Sequence, residues 1–482
     1  MDQQADTGDC CTTGGAESRA FDIAVIGAGS AGFSAAITAA EQGANVALIG
    51  HGTIGGTCVN VGCVPSKTMI RAAEAVHGAG RAGRFPGLAG EAHVSDWRAL
   101  VAAKDDLVGT LRQKKYIDLL PEYNGVAYME GIARLNGSGV LVDGSPISAG
   151  KIIIATGASP AIPSIPGIER VPYLTSTTAL ELGEQPRSLL VIGGGYIGCE
   201  LAQMFARLGT RVTLVTRSRL LPEAEPEITQ ALASYLANEG ITVRTGLSYS
   251  GIAQQDGEIR LTVDVGGHVE TLAAEQVLVT SGRTPNTAGL GLEEAGIRLL
   301  PGGGIAVDDR MRTSKPGIYA VGDVTGRDQF VYMAAFGAKL AARNALNGDG
   351  LVYDNTAMPW VVFTDPQLAG VGLSESQARK QGIDVKTSVV PLDQVPRALA
   401  ARDTRGLIKL VADSTTDRLL GAQILAPEGA DSIQTIVLAI KFGMTTKELG
   451  ETIFPYLTTV EGLKLAAQGF TRDVAKLSCC AG

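Results

Sequence analysis

The sequence predicts an α/β fold in which one Rossmann-like nucleotide-binding domain is inserted into another and a C-terminal α+β domain follows. Two observations lead to this prediction. An apolar strand runs into a G-x-G-x-x-G motif and then into a helix at two places in the chain, and no such motif occurs after residue 352. The length of 482 residues accommodates about three domains.

The first nucleotide-binding unit begins at Phe21 with an apolar strand. Its motif glycines are Gly27, Gly29 and Gly32. A helix is predicted over 33–42 and a second strand over 45–49. Glycines at these places permit a tight turn and a close approach of the backbone to a pyrophosphate, which the helix N-terminus attracts.

The second unit repeats this pattern from residue 188, with a predicted helix over 199–208 and a strand over 211–216. Its motif glycines are Gly193, Gly195 and Gly198. Buried strands that end in glycine are predicted at 152–157, 277–282 and 317–323. The predicted division is a flexible tail at 1–20, a first nucleotide domain at 21–155 and 283–350, a second at 156–282, and a last domain at 351–482.

Charge and hydropathy narrow the class of protein. The formal net charge is −8 without long runs of one sign, which argues against a nucleic-acid partner. No apolar run reaches membrane-spanning length, and the first residues lack the basic and apolar regions of a secretory signal. We therefore expect a cytoplasmic protein without stable membrane association.

Six of the seven cysteines fall in close pairs, namely Cys10 with Cys11, Cys58 with Cys63, and Cys479 with Cys480. Paired thiols in a chain of this length indicate redox or metal chemistry rather than a disulfide scaffold. Cys58 and Cys63 lie at the predicted start of a helix, where the helix dipole lowers a thiol pKa. The alternative, two buried cysteines acting as small apolar side chains, fits the surrounding Gly, Asn and Pro residues poorly. Cys199 is expected to be a packing residue.

The segment Gly55-Gly-Thr-Cys-Val-Asn-Val-Gly-Cys-Val-Pro-Ser-Lys67 resembles the signature of the flavin disulfide reductases, the class I pyridine nucleotide-disulfide oxidoreductases. The resemblance covers residues 21–482. It implies an FAD-binding first domain, an NADPH-binding inserted domain, a dimerisation domain, and electron flow from NADPH through FAD to the cysteine pair. It also implies that Cys63 is the charge-transfer thiolate against the flavin, that Cys58 is the outer, exchanging sulfur, and that Lys67 approaches the flavin and pairs with Glu200.

The same resemblance implies a set of FAD contacts, with Asp323 near the ribityl and phosphate portion. The expected FAD-binding residues are Gly27, Gly29, Gly32, Gly52, Thr57, Lys67, Ala133, Thr156, Gly157, Asp323 and Val331. One position departs from the pattern, because Gly50 stands where the dinucleotide fold usually carries an acid for the ribose hydroxyls. We expect FAD to be bound more weakly or anchored differently, and Gly50→Glu to change its affinity.

The second motif favours NADPH over NADH. Thr216 replaces the acid that selects NAD, and Arg217 and Arg219 follow it, where they can pair with a 2′-phosphate or stand solvated on a loop. Tyr196 resembles the tyrosine that shields the flavin until nicotinamide arrives, the alternative being a core tyrosine. The expected nucleotide-binding residues of this domain are Gly193, Gly195, Gly198, Arg217 and Arg219. Arg283 is also expected to bind a cofactor.

The last domain indicates the substrate. Where other disulfide reductases read His-Pro-Thr, this chain reads Phe454-Pro-Tyr456, and none of its four histidines lies beyond residue 268, so the usual proton relay for an organic disulfide is missing. The chain ends in Cys479-Cys480-Ala-Gly, and adjacent thiolates suit a soft metal ion.

These features together resemble the mercuric reductases, which serve mercury detoxification. The resemblance implies a homodimer with active sites shared between subunits, in which Cys479 and Cys480 of one subunit take Hg(II) from thiol complexes. They would deliver it to Cys58 and Cys63 of the other subunit, beside Tyr196 and Tyr456. The N-terminal metal-binding domain common in that family is expected to be absent, and Cys10 and Cys11 are either an early capture pair or a leftover linker. Two alternatives stay open: a large-type thioredoxin reductase, and a metal-sequestering protein without turnover.

Overall fold

The computed structural model describes residues 20–137 and 139–476. The predictions that concern the tail and the pairs Cys10–Cys11 and Cys479–Cys480 lie outside these residues. The described chain divides into two compact units. The first comprises 20–54, 118–157 and 285–352, and the second comprises 55–117, 158–284 and 353–476.

The described residues contain the following strands: β1 Ala20–Ile26, β2 Val46–Gly50, β3 Val126–Glu130, β4 Ala133–Asn136, β5 Gly139–Val142, β6 Ser145–Ile154, β7 Ala158–Pro160, β8 Ser188–Ile192, β9 Arg211–Val215, β10 Thr242–Arg244, β11 Ser248–Gln255, β12 Glu258–Val265, β13 His268–Ala274, β14 Gln276–Val279, β15 Arg283–Pro285, β16 Ile318–Ala320, β17 Pro359–Val362, β18 Gln367–Gly372, β19 Val385–Pro391, β20 Leu407–Asp413 and β21 Leu419–Ala426.

The α-helices of the same residues are α1 Ser30–Ala40, α2 Gly56–Asn60, α3 Cys63–Gly80, α4 Trp97–Arg112, α5 Ser176–Ala179, α6 Tyr196–Arg207, α7 Pro226–Asn238, α8 Val331–Asn347, α9 Glu375–Lys380, α10 Pro396–Ala400, α11 Gly429–Lys441, α12 Thr446–Glu451 and α13 Glu461–Gln468. None of these helices is long and apolar enough to cross a membrane.

The first unit is built on a sheet in the order β3-β2-β1-β6-β5-β4, with β16 paired to β6. Strands β3, β2, β1, β6 and β16 run parallel, and β4 and β5 add an antiparallel edge. All five residues of β2 are buried, as expected for a parallel strand covered on both faces. Helices α1 and α8 pack together in this unit.

Besides a two-stranded sheet of β15 and β7, the second unit contains three larger sheets. A parallel sheet of order β10-β9-β8-β14 carries the second glycine motif, an antiparallel sheet is formed by β11-β12-β13, and an antiparallel sheet of order β17-β18-β21-β20-β19 belongs to the last part of the chain. Helices α11 and α13 pack against this last sheet. The predicted fold class, with two parallel nucleotide-binding sheets and a C-terminal α+β part, is confirmed.

Most predicted elements are present with shifted ends. Both motif helices begin three residues earlier than predicted, because the last glycine of each motif belongs to the first helical turn. The strand predicted over 317–323 is confined to β16, because residues 322–325 form a 3-10 turn. Residues 55–117 group with the second unit, whereas the sequence-based division places them in the first domain. The division into domains stays a prediction.

Candidate active site

The first glycine motif forms a turn that only glycine permits. Gly27 has a φ of +116°, and a Cβ placed there would lie 2.3 Å from the carbonyl oxygen of Ala155. A Cβ on Gly32 would lie 1.7 Å from the carbonyl oxygen of Gly27. No side chain caps α1 at Gly29, so the helix start suits a pyrophosphate. These residues fit the pyrophosphate of FAD.

The second motif has the same construction. A Cβ on Gly193 (φ +123°) would lie 2.5 Å from the carbonyl oxygen of Thr280, and a Cβ on Gly198 would lie 1.8 Å from that of Gly193. No side chain caps α6 at Gly195. The residues of this turn fit the pyrophosphate of a second dinucleotide.

The two central cysteines lie on two consecutive helices of the second unit. Cys58 is in α2, and Cys63 is the first residue of α3. The connection is tight, because a Cβ on Gly62 would lie 2.9 Å from the carbonyl oxygen of Thr57. Both thiols are free and half-buried, and a hydrogen bond joins them. The two sulfurs are thus close enough to react with one ligand, and Cys63 stands at the positive end of a helix dipole.

The two thiols have opposite pKa shifts. The hydrogen bond from Cys58 lowers the pKa of the Cys63 thiol to about 7, and the charge of Lys67 lowers it further against burial and the charge of Glu200. The same hydrogen bond raises the pKa of the Cys58 thiol, as does burial. Near neutral pH the pair therefore consists of a thiolate at Cys63 and a thiol at Cys58.

Lys67 and Glu200 form an ion pair. Lys67 lies one turn after Cys63 on α3, and its Nζ is 2.7 Å from Oε2 of Glu200 on α6. The Glu200 side chain is only 6% exposed, so its second oxygen also requires a partner. The backbone N–H of Phe363 donates to Oε1 of Glu200 at 2.9 Å, and Lys67 Nζ lies 4.8 Å from the centroid of the Phe363 ring.

The segment around Phe363 was missed by the sequence analysis. Gln203, one turn after Glu200 on α6, accepts a hydrogen bond from the Asp365 N–H at 2.7 Å and donates to its carbonyl at 2.9 Å. Arg207, one turn further, is 2.9 Å from the Asp365 carboxylate. Three successive turns of α6 thus fix this segment. Nothing in the local sequence pairs these residues, because they are about 160 positions apart along the chain.

Tyr196 is the first residue of α6. Its ring is half-buried and packs edge-on against Trp360, with ring centroids 5.8 Å apart. Burial raises the pKa of its hydroxyl to about 12, so the hydroxyl stays protonated. Tyr456 lies between α12 and α13 and is 50% exposed. Its expected place beside Tyr196 stays a prediction.

The arginines after β9 have different surroundings. Arg217 is exposed, and its guanidinium lies 5.6 Å from the centroid of the Tyr249 ring. Arg219 donates to the Thr229 hydroxyl at 3.1 Å and to the Pro222 carbonyl, so it holds the loop before α7. Arg217 is thus the arginine of the two that is presented to solvent on an aromatic ring, an arrangement suited to a phosphate.

The other expected cofactor residues lie in turns or at element ends. Thr156 and Gly157 follow β6, where the Thr156 hydroxyl donates to the Asn286 carbonyl at 2.8 Å. Arg283 donates to the Ala158 carbonyl. The remaining positions are Gly52 with a φ of +76°, Thr57 in α2, Ala133 at the start of β4, Asp323 in the 3-10 turn and Val331 at the start of α8. Cys199 is fully buried in a hydrophobic core, as expected of a packing residue.

Two family models match the chain. The model described as "Pyridine nucleotide-disulphide oxidoreductase" matches residues 21–339, and that described as "Pyridine nucleotide-disulphide oxidoreductase, dimerisation domain" matches residues 358–467.

Known proteins resemble the chain over nearly its full length. A mercuric reductase of Staphylococcus aureus is 47% identical over 96% of this chain and 84% of its own length. One of Streptomyces lividans is 47% identical over 96% of this chain and 98% of its own length. Among solved structures, the HOCl-induced flavoprotein disulfide reductase RclA from Escherichia coli, as its Cu(II) complex, superimposes with a TM-score of 0.83 at 32% identity, covering 93% of this chain and 99% of that chain.

Proposed function

The chain belongs to the mercuric reductases of the pyridine nucleotide-disulphide oxidoreductase family, and from that premise we propose that it reduces Hg(II) to elemental mercury. Its cofactors are FAD and NADPH, as in the family. The observation that carries the proposal is the hydrogen-bonded Cys58–Cys63 pair with its thiolate at Cys63. A thiolate binds the soft Hg(II) ion, and a thiol beside it supplies a second sulfur.

The pair acts by ligand exchange. Cys58, the outer sulfur, displaces one thiolate from an Hg(II)–thiol complex as its proton passes to the departing ligand, and the Cys63 thiolate then displaces the second. Hg(II) is then held by two sulfurs. When bound, FAD carries the two electrons of one NADPH to this site. Hg(II) takes up both electrons and leaves as uncharged Hg(0), because thiolates no longer hold it, and both cysteines keep their electrons.

Lys67 and Glu200 position the reacting sulfur. Lys67 places a positive charge one helical turn from Cys63 and lowers its pKa, whereas Glu200 opposes this effect and fixes the lysine. Tyr196, held edge-on by Trp360, shields the site until nicotinamide binds. Arg217 pairs with the 2′-phosphate of NADPH.

The protein is a homodimer, since it carries the family's dimerisation domain over residues 358–467. In our proposal each active site is shared, with Cys479 and Cys480 of one subunit passing Hg(II) to Cys58 and Cys63 of the other beside Tyr456. The cytoplasm is the proposed compartment, because reduced thiols and NADPH are maintained there.

The decisive experiment measures NADPH oxidation with and without Hg(II) in excess small thiol. Wild type should oxidise NADPH in step with Hg(0) release, and Cys58→Ala or Cys63→Ala should abolish this while keeping bound FAD. Cys199→Ala, a buried cysteine outside the site, is the matched control and should retain turnover. Hg(II) binding without NADPH oxidation would indicate a sequestering protein, and reduction of thioredoxin or an aromatic disulfide at a comparable rate would indicate a disulfide reductase.

A second experiment tests the relay. Cys479→Ala/Cys480→Ala should slow turnover of bulky Hg(II)–thiol complexes and leave that of small ones nearly unchanged. Wild-type behaviour of this double variant on every complex would contradict the relay.

A further inference from the structure

The carboxyl end of β2 lacks the acid that usually binds the ribose of the dinucleotide. Gly50 stands there, and the structure shows what fills the space. A Cβ on Gly50 would lie 2.5 Å from the Cβ of Ala28 and 3.1 Å from the hydroxyl oxygen of Tyr128. The Tyr128 hydroxyl thus lies directly beside the position that the side chain of an acidic residue 50 would enter.

Tyr128 and Glu130 lie on the same face of the sheet as Gly50. In the parallel pair β2–β3, Leu48 is in register with Tyr128 and Gly50 with Glu130, and residues two apart on a strand share a face. This face is the one with the first glycine motif, because a Cβ on Gly32 would lie 3.5 Å from Cδ1 of Leu48.

The two side chains are available to a ligand. Among the described residues, none forms a hydrogen bond with the Tyr128 hydroxyl, and none forms an ion pair with Glu130. Burial and the nearby charge of Glu130 raise the pKa of Tyr128, so its hydroxyl is a donor. Glu130 is exposed at the strand end. The pair offers one donor and one anionic acceptor, which is the complement of a ribose diol.

We propose that Tyr128 and Glu130 together bind the ribose hydroxyls of the adenosine half of FAD, in place of the acid missing at Gly50. The Tyr128 hydroxyl donates to one ribose oxygen, and the Glu130 carboxylate accepts from a ribose hydroxyl. The acidic residue thus stands on β3, the strand next to β2, and the Tyr128 side chain fills the space beside Gly50. This inference rests on FAD being the cofactor.

The test is titration of FAD into apoprotein, followed by flavin fluorescence. Tyr128→Phe and Glu130→Gln should each raise the Kd for FAD about threefold to tenfold, since a hydrogen bond contributes roughly 0.5–1.5 kcal/mol. The matched controls are Tyr123→Phe and Glu122→Gln, which lie before the amino end of β3 and should leave the Kd unchanged. An unchanged Kd in both Tyr128→Phe and Glu130→Gln overturns the inference.

An FAD analogue with 2′,3′-dideoxyadenosine separates a ribose contact from a general disturbance. Against this analogue, Tyr128→Phe and Glu130→Gln should bind as wild type does. Equal losses for FAD and the analogue would mean that the two residues act only on the shape of the site. Because the readout is affinity and not Hg(II) turnover, a failure here is distinct from a failure of the proposed reaction.

The same geometry predicts an exchange of partners. Gly50→Glu alone should weaken FAD binding, because the new side chain collides with Ala28 and Tyr128. Gly50→Glu/Ala28→Gly/Tyr128→Val removes both collisions and should restore part of the affinity. Tighter binding by Gly50→Glu alone would contradict the inference.

Discussion

The two glycine motifs of this chain are nearly identical in their turns and different in what surrounds them. In both, the first glycine approaches a carbonyl oxygen so closely that a Cβ on it would lie 2.3 Å or 2.5 Å from that oxygen. A Cβ on the last glycine would lie only 1.7 Å or 1.8 Å from the carbonyl oxygen of the first glycine. The shared geometry fits a shared ligand group, the pyrophosphate. The residues that differ between the two motifs, and so can distinguish the two cofactors, lie outside the glycine turn.

The first difference is at the end of the second strand. The first motif has Gly50 there, with Tyr128 filling the space. The second has buried Thr216 followed by exposed Arg217 on the Tyr249 ring. Neither keeps the usual acid, and the two replacements suit different groups: a ribose diol in one unit and a phosphate in the other.

The second difference is the identity of the residue two positions after the last glycine of each motif. In α6 this residue is Glu200, which pairs with Lys67 and so influences Cys63. In α1 the same position is Ser34. The helix of the second motif therefore combines two features, because its N-terminus fits a dinucleotide and its next turn positions Lys67 near Cys63.

The largest expected effect on cofactor binding comes from an alanine at the last glycine of each motif, made separately. Gly32→Ala should yield protein without FAD. Gly198→Ala should keep FAD and lose roughly a hundredfold in NADPH affinity, as expected if two hydrogen bonds to the pyrophosphate are lost. Bound flavin and NADPH titration measure the two outcomes. Gly109→Ala, where a Cβ would meet nothing within 4 Å, is the control, and loss of both cofactors in either variant would contradict the division.

Arg217→Gln should reduce the preference for NADPH. Loss of a charged hydrogen bond to the 2′-phosphate should raise KM for NADPH about tenfold and leave KM for NADH unchanged. Steady-state kinetics with both nucleotides decide this. Arg187→Gln, an exposed arginine of the same unit paired with Glu275, should have no effect; equal changes with NADPH and NADH would remove Arg217 from this role.

Tyr249→Leu tests whether the ring presents Arg217 to the cofactor. Because a cation–π contact contributes roughly 0.5–1 kcal/mol at exposed sites, we expect KM for NADPH to rise about twofold to fivefold. In the Arg217→Gln background the same change should have no further effect. Additive losses in the double variant would show that the two residues act separately.

Lys67→Met and Glu200→Gln should shift the pKa of Cys63 in opposite directions. The Cys63 thiolate is present above about pH 7 and is protonated as the pH falls through that value, so turnover should decline there. Lys67 lowers this pKa and Glu200 raises it, so the midpoint should move up in Lys67→Met and down in Glu200→Gln. The shifts should be modest, because Lys67 is 33% exposed and solvent screens its charge.

Alkylation of Cys63 at a series of pH values, followed by mass spectrometry, measures this midpoint. Ser34→Ala, the corresponding position of the other motif, should leave it unchanged. Shifts of the same sign in Lys67→Met and Glu200→Gln would contradict the opposed charges.

How far the sequence could predict the site depends on the distance between partners. Cys58 and Cys63 are five residues apart, and their helix start could be predicted because helix boundaries follow local glycines and proline. The ion pair of Lys67 with Glu200 spans 133 residues and was expected only through the family resemblance. The hydrogen bond from Phe363 to Glu200 spans 163 residues and was not expected at all.

The sequence by itself determined the two dinucleotide turns, the reactive cysteine pair and the missing acid at Gly50, because backbone dihedral angles and near-neighbour spacing are local properties. Only the tertiary structure decided what replaces that acid and what holds Glu200. Tyr128 reaches Gly50 through the register of β3 on β2, and Phe363 reaches Glu200 through the packing of its segment on α6. Register and helix packing depend on residues far apart along the chain, so no local pattern specifies them.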